Sequence, residues 1–151
     1  MTDWRLARFD ELSGREVHDI LQARAAVFVV EQACVFQDMD GADPAAWHLF
    51  TRRDGEIAAY CRLLPAGARF AEPSIGRVIT TPAARGTGLG RALMQEALLQ
   101  ARRLWPGSPL RIGAQQHLEA FYASLGFVAA SGPYDEDGIP HIEMLHPGGD
   151  T

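Results

Sequence analysis

The residues between positions 75 and 104, IGRVITTPAARGTGLGRALMQEALLQARRL, are those whose types and spacing point most directly to chemistry. An apolar run ends at Pro82, then come Arg85, Gly86, Thr87, Gly88, Leu89 and Gly90, and then a long amphipathic stretch. Glycines let a backbone approach a ligand closely and turn its N–H groups inward. A helix that begins at such a turn adds the positive end of its dipole. The combination is an anion site, with pyrophosphate as its natural guest. Two better-known phosphate loops do not fit. The nucleoside-triphosphate loop needs a lysine after its last glycine, and the chain has no lysine. The dinucleotide fingerprint needs a wider gap before its last glycine than Gly86, Gly88 and Gly90 provide. Taken alone, the hexapeptide also fits a glycine-rich connection without a ligand.

The elements that must position this loop are legible in chain order. Residues 4–9 alternate and predict a first strand. Ser13 and Glu16 have the spacing of a capping box, opening a helix with Val17, Ile20, Leu21, Val27 and Phe28 on one face. Arg24 interrupts that stripe and is placed at its edge, pairing with an acid being the other option. Asp38, Asp40 and Asp43 lie in a turn-rich stretch, read as a solvated loop because no bidentate Glu completes a calcium loop. Residues 47–53 and 56–64 are predicted strands joined by Asp54-Gly55, a hairpin signal. Residues 74–81 form the next strand. A helix from about residue 88 to 104 follows, with Leu89, Leu93, Ala97, Ala101 and Leu104 on its buried face. Residues 110–114 are a strand and residues 117–125 a helix stopped by Gly126 and Phe127. Residues 127–130 and 139–145 are the last strands, with a long hairpin loop at 131–138. The order is β-α-β-β-β-α-β-α-β-β, a mixed α+β domain over residues 1–146 with a flexible tail at 147–151.

Composition narrows the partners. The chain has 151 residues and a formal net charge of -5, which argues against a general nucleic-acid surface but not against a local anion site among Arg77, Arg85 and Arg91. Cys34 and Cys61 lack paired spacing, so neither a disulfide framework nor a zinc site is expected; they read as small buried hydrophobes. No run approaches a membrane span and the start lacks a leader's apolar core. The expectation is a cytoplasmic protein without membrane or nucleic-acid partners.

The pattern Arg85-x-x-Gly88-x-Gly90, between a strand and a helix, resembles the acyl-CoA loop of the GNAT superfamily of N-acetyltransferases. Downstream, Gln115-x-x-Leu118-x-x-Phe121-Tyr122-x-x-Leu125-Gly126-Phe127 is similar to that family's second signature. The segments VFVVEQACVF, AQQHLEAFY and YDEDGIPHIEML also resemble its ElaA-like branch. The resemblance implies a central, mostly antiparallel twisted sheet of about six to seven strands, flanked by about four helices and splayed between its fourth and fifth strands. It implies acetyl-CoA as co-substrate and no metal. Arg85, Gly86, Thr87, Gly88, Leu89 and Gly90 would hold the pyrophosphate, with Arg91 adjacent. Val78 and Ile79 would pair through their backbone with the pantetheine arm, and Tyr122 would be the general acid. Gln115 stands where the family commonly has Asn.

The implied reaction carries acetyl from acetyl-CoA to an amine by direct attack. The amine must lose a proton, the carbonyl oxygen gains charge, and the leaving thiolate needs a proton. Glu31, an acid among apolar residues, is the first candidate base because such a setting raises a carboxyl pKa. His48 is the second; His141 and Glu143, on one strand face, line the acceptor side together with Arg77. Glu31, Asp38, Asp40 and Asp43 in one loop, and Asp135, Glu136 and Asp137 in another, form an acidic rim suited to a cationic amine. A homodimer through Phe70, Phe127, Val128 and the last strand is a further possibility. Two alternatives stay open: a transferase for a longer acyl-CoA, and a CoA-binding regulatory or interaction module without turnover.

Overall fold

The computed structural model describes residues 2–148; residues 149–151, and with them most of the expected tail, lie outside the described residues. The sheet has eight strands. β1 (Arg5–Arg8) pairs with β2 (Trp47–Arg53), β2 with β3 (Glu56–Leu64), and β3 with β4 (Ser74–Thr80), all antiparallel. β5 (Leu110–Gln115) pairs along its length with β8 (Ile139–His146), from Leu110 opposite His146 to Gln115 opposite His141. β6 (Val128–Ala129) and β7 (Tyr134–Glu136) also pair with β8. β7 falls inside what reads in sequence as a long loop, because its three residues are too few to display an alternation.

Alternation along the strands gives the sheet two covered faces. Leu49 and Cys61 pack with Leu89, Leu93, Met94, Ala97 and Ala101 of α2 (Leu89–Leu104) on one side. Phe50 and Tyr60 pack with Ile20 and Val27 on the other, beneath α1 (Gly14–Arg24). α1 begins as expected: Ser13 Oγ accepts from the Glu16 N–H at 3.0 Å and the Glu16 carboxylate accepts from the Ser13 N–H at 2.8 Å. Asp54 (φ 53°) and Gly55 (φ 81°) both adopt the left-handed conformation that a tight hairpin between right-twisted strands requires.

Two helical expectations change. α1 does not continue regularly through Phe28; Ala25–Glu31 widens into a π-helical turn, with the Gln32 N–H on the Val27 carbonyl and the Cys34 N–H on the Val29 carbonyl. The third helix is shorter than read: a 3-10 turn at Gln116–Leu118 leads into α3 (Glu119–Ala123). Its stop is as expected, with the Phe127 N–H on the Tyr122 carbonyl and the Gly126 N–H on the Ala123 carbonyl, closing a Schellman motif around Gly126 at φ 102°. The α-helices are therefore three rather than four among the described residues. Phe127 is 2% exposed and belongs to the core, so it is not available to a dimer face.

Candidate active site

β4 and β5 run parallel but pair only at Ser74 and Arg111, with the Arg111 N–H on the Pro73 carbonyl. Beyond that point the strands part, and the β4 edge facing β5 has no strand partner. β4 also carries a bulge: its register against β3 shifts between Tyr60 and Arg62, and Arg77 has φ 50°. A non-glycine residue in that region is strained and persists only where its surroundings hold it. The gap is a cleft of about 1160 Å³ lined on one arm by Gly76, Arg77, Val78, Ile79 and Thr80, and on the other by Ile112, Gly113, Ala114 and Gln115. Residues of both sheet faces line it: Tyr122, which packs with the α2-side core, and His141, which strand alternation puts on the face opposite Ile142.

The glycine loop stands at the open end of this V, where parallel strands present their carboxyl ends. Gly86 (φ 79°) and Gly88 (φ 82°) are left-handed, and a Cβ at either would meet nothing of the protein within 4 Å. Neighbouring packing therefore does not exclude a side chain there; the left-handed backbone angle is what favours glycine, and the open space leaves the backbone accessible. Gly88 caps α2, so the N–H groups of its first turn have no intrahelical acceptor. These are features a pyrophosphate requires, and they stand on the geometry of the loop alone. The Leu89 side chain points into the core, leaving only its backbone for a ligand. Arg91 donates to Ser124 Oγ at 2.9 Å and lies 5.4 Å over the Phe121 ring.

Arg85 donates from Nε to the Thr80 carbonyl at 3.1 Å and forks onto Glu31, with Nη2 2.8 Å from Oε1 and Nη1 on Oε2. This corrects the expectation for Glu31. Its apolar neighbours do not raise its pKa; the hydrogen bonds and charge of Arg85 hold the carboxyl below its ordinary range. His48 is corrected too. It is 2% exposed and outside the cleft lining. Its Nε2 lies 3.0 Å from the Asp43 carbonyl and so donates, which leaves Nδ1 to accept from the Tyr60 hydroxyl at 2.7 Å. Burial holds its pKa below the usual imidazole value.

The loop acids are not a solvated rim. Arg24 is fully buried, donating to Asp38 Oδ2 and Asp43 Oδ1, both at 2.8 Å, rather than lying at the edge of the helix stripe. Arg62 bridges Asp40 (2.6 and 2.8 Å) and Asp43 (3.0 Å). Arg77 pairs with Asp38 at 2.8 Å and Asp40 at 3.2 Å, its guanidinium near the Phe28 and Phe36 rings. Hydrogen bonds from Arg62 push the Asp40 carboxyl well below its ordinary range; burial works to raise that of Asp43, but Arg24 and Arg62 outweigh it and leave the carboxyl lowered. The cluster balances its charge and ties the loop after the π-helical turn to α1, β3 and the bulge of β4. No sequence spacing marks Arg62 as its member.

On the opposite wall Gln115 lines the cleft and donates to Gln32 at 3.3 Å. Glu136 lines it as well, accepting from Arg69 at 2.9 Å; Arg69, from an irregular loop, carries no sequence signal. Asp135 instead accepts from the Gly138 N–H. Glu143 shares a sheet face with His141 but is outside the lining, held by Arg111 at 2.9 Å alongside Glu72. Tyr122 is 6% exposed, burial pushes its phenol pKa up, and its hydroxyl has no hydrogen-bond partner among the described residues. Cys34 and Cys61 are both buried free thiols. Among the described residues no helix is long and apolar enough to cross a membrane.

Comparison with known proteins agrees with this architecture. The model for the acetyltransferase (GNAT) domain matches residues 11–146. A UPF0039 protein of Synechocystis is 44% identical over 144 residues, covering 95% of this chain and 94% of that one. The crystal structure of an acyl-CoA N-acyltransferase from Pseudomonas aeruginosa superposes with a TM-score of 0.92 at 44% identity, covering 97% of this chain and 99% of that one. That of Escherichia coli ElaA gives 0.91 at 40% identity, with the same coverage of both chains. A glycine turn at the head of α2, a bulged β4 and a splayed parallel pair thus occur in a chain that belongs to the GNAT acetyltransferase family.

Proposed function

We propose that the protein transfers the acetyl group of acetyl-CoA directly to a primary amine of a small molecule or peptide. The observation that carries this reading is the unpaired edge of β4 running from its bulge to the left-handed glycine turn. An acyl-pantetheine arm has amides that can add to such an edge as a strand would, and its pyrophosphate would then reach the N–H groups of Gly86, Gly88 and Gly90. Val78 and Ile79 follow the bulge at Arg77, where a backbone N–H turned into the cleft would stabilise the oxyanion of the tetrahedral state. Binding both substrates in one passage supplies proximity. Tyr122, protonated at neutral pH, would give its proton to the departing thiolate. Gln115, longer than the usual Asn, retains the amide that could hold the arm. A reducing cytoplasm suits the two free thiols.

The Pseudomonas relative, described as an acyl-CoA N-acyltransferase, supports acyl transfer without naming an acceptor. Among longer acyl groups, Val27, Phe28 and Phe36 on the cleft wall favour a second reading, in which the acyl chain extends beyond acetyl. The test is thiol release from acetyl-CoA and from longer acyl-CoAs across a panel of primary amines. Amine-dependent release, with kcat lowered by Tyr122→Phe and acetyl-CoA binding kept, supports the reading. A protein that binds acetyl-CoA but releases thiol with no amine and no donor would instead be a binding module.

A further inference from the structure

We propose that His141 is the proton acceptor for the attacking amine, because its ring is fixed with Nδ1 occupied and Nε2 open to the cleft. The proposal rests on the acyl-transfer reading and assigns the residue that this reading leaves unassigned. His141 is 7% exposed and lies on the lining of the cleft. Its Nδ1 is 2.7 Å from the Ile139 carbonyl oxygen. A carbonyl only accepts, so Nδ1 carries the hydrogen, and in the neutral ring Nε2 then carries the lone pair. Nε2 has no hydrogen-bond partner among the described residues. Glu136 Oε2 stands 3.7 Å from it, too far to bond but close enough to stabilise the imidazolium that proton uptake creates.

Glu136 is itself held, its other oxygen accepting from Arg69 Nη2 at 2.9 Å. The Tyr134 ring lies beside His141 with centroids 5.9 Å apart. Gly113 makes this cluster possible: a Cβ there would be 2.9 Å from the Tyr134 hydroxyl and 3.0 Å from Arg69 Nη2. Across the strand pair Gln115 is the register partner of His141, and in the turn before β8 the Asp137 carbonyl accepts from the Cys34 thiol. His48 has the opposite arrangement, with both ring nitrogens engaged inside the protein.

In the proposed step the amine nitrogen bonds to the thioester carbon and passes a proton to His141 Nε2. The carbon–sulfur bond then breaks, and the thiolate takes a proton from Tyr122. The His141 proton leaves to solvent and Tyr122 recovers its own, so the net products are the N-acetyl amine and CoA thiol. Base and acid approach from opposite faces of the sheet, which separates their protons. The passage between β4 and β5 is what lets both reach one reacting carbon.

The experiment uses the full chain with acetyl-CoA and glycinamide, a small primary amine, following thiol release between about pH 5.5 and 9, the interval that brackets imidazole titration. His141→Gln is expected to lower kcat by roughly 10²-fold or more. It should also remove the imidazole's part of the acidic limb of the pH profile, leaving only the limb set by the acceptor's own α-amine, which titrates at about 8, with the calorimetric acetyl-CoA affinity unchanged. Glu136→Gln, which removes the charge 3.7 Å from Nε2, should lower kcat with glycinamide KM and acetyl-CoA affinity little changed, a split that a merely structural role would not give. Wild-type kcat and profile in His141→Gln overturn the proposal. Nitrogen-15 imidazole spectra, with His141 assigned by loss of its signals in His141→Gln, give a second reading that needs no turnover. The Nδ1-protonated neutral tautomer supports the proposal, and the Nε2-protonated one overturns it even if glycinamide is not acylated. Loss of acetyl-CoA binding by wild type would remove the acyl-transfer reading instead and would be seen separately by calorimetry.

Discussion

Replacing Arg24 with Met tests whether the buried ion cluster is structural support for the cleft. The guanidinium is fully buried and makes hydrogen bonds to Asp38 Oδ2 (2.8 Å), Asp43 Oδ1 (2.8 Å) and the Asp38 carbonyl (3.1 Å). Hydrogen bonds to charged groups contribute about 1.5–3 kcal/mol each, which would place the loss near 4.5–9 kcal/mol if nothing compensated. Two features reduce it. Asp43 keeps Arg62 at 3.0 Å and Asp38 keeps Arg77 at 2.8 Å, so neither carboxylate is left alone. Met also fills much of the space of the arginine stem. The expected cost is therefore about 3–5 kcal/mol, as for other buried pairs deprived of one partner. At about 2–4 °C per kcal/mol for a chain of this size, the melting temperature should fall by roughly 6–20 °C. The assay is urea unfolding with thermal melting, against Arg15→Met, an exposed position on the same helix. A cost within about 0.5 kcal/mol, the range of ordinary surface changes, would refute the reasoning.

Other outcomes follow from single residues. Gly88→Ala must hold a Cβ at φ 82°, at a cost of about 1–2 kcal/mol, and should weaken acetyl-CoA binding by calorimetry more than it lowers the melting temperature. Gly113→Ala meets only the movable ends of Tyr134 and Arg69; it should leave stability nearly unchanged and raise acceptor KM in steady-state assays. Asp40, Asp43, Glu31 and Glu72 all have carboxyl pKa values held down in the fold by arginine partners. Their stabilisation is complete above the unfolded values near about 4 and is lost as pH falls through the folded values. Urea midpoints should therefore decline below about pH 4, and Asp43→Asn should flatten that decline.

Much of the frame was legible because local rules agree with tertiary structure at those places. Ser13 with Glu16 starts α1, Asp54-Gly55 turns the first long hairpin, and Gly88 opens α2. Gly126 with Phe127 stops α3 by local hydrogen bonds. These signals need only residues a few positions apart. What was not legible depends on partners distant in sequence. Arg24 looks like a stripe-edge residue until Asp38 and Asp43 fold over it, 14 and 19 positions away. Glu31 looks like a desolvated acid until Arg85 meets it from 54 positions on. The π-helical turn at Ala25–Glu31 leaves no period of its own in a run of valines. The acceptor wall is assembled from Arg69 in an irregular loop, a three-residue strand, and a histidine whose tautomer is set by a carbonyl two residues away. Composition and spacing contain none of these.

The central claim is that the turn at Gly86 and Gly88, together with the unpaired edge of β4, is an acyl-CoA site. Calorimetric titration of acetyl-CoA into wild type and into Arg85→Ala/Gly88→Trp tests it most directly, with circular dichroism to establish that both are folded. The account predicts one site per chain in wild type and its loss in the variant. No binding by folded wild type, or equal binding by the folded variant, would contradict it.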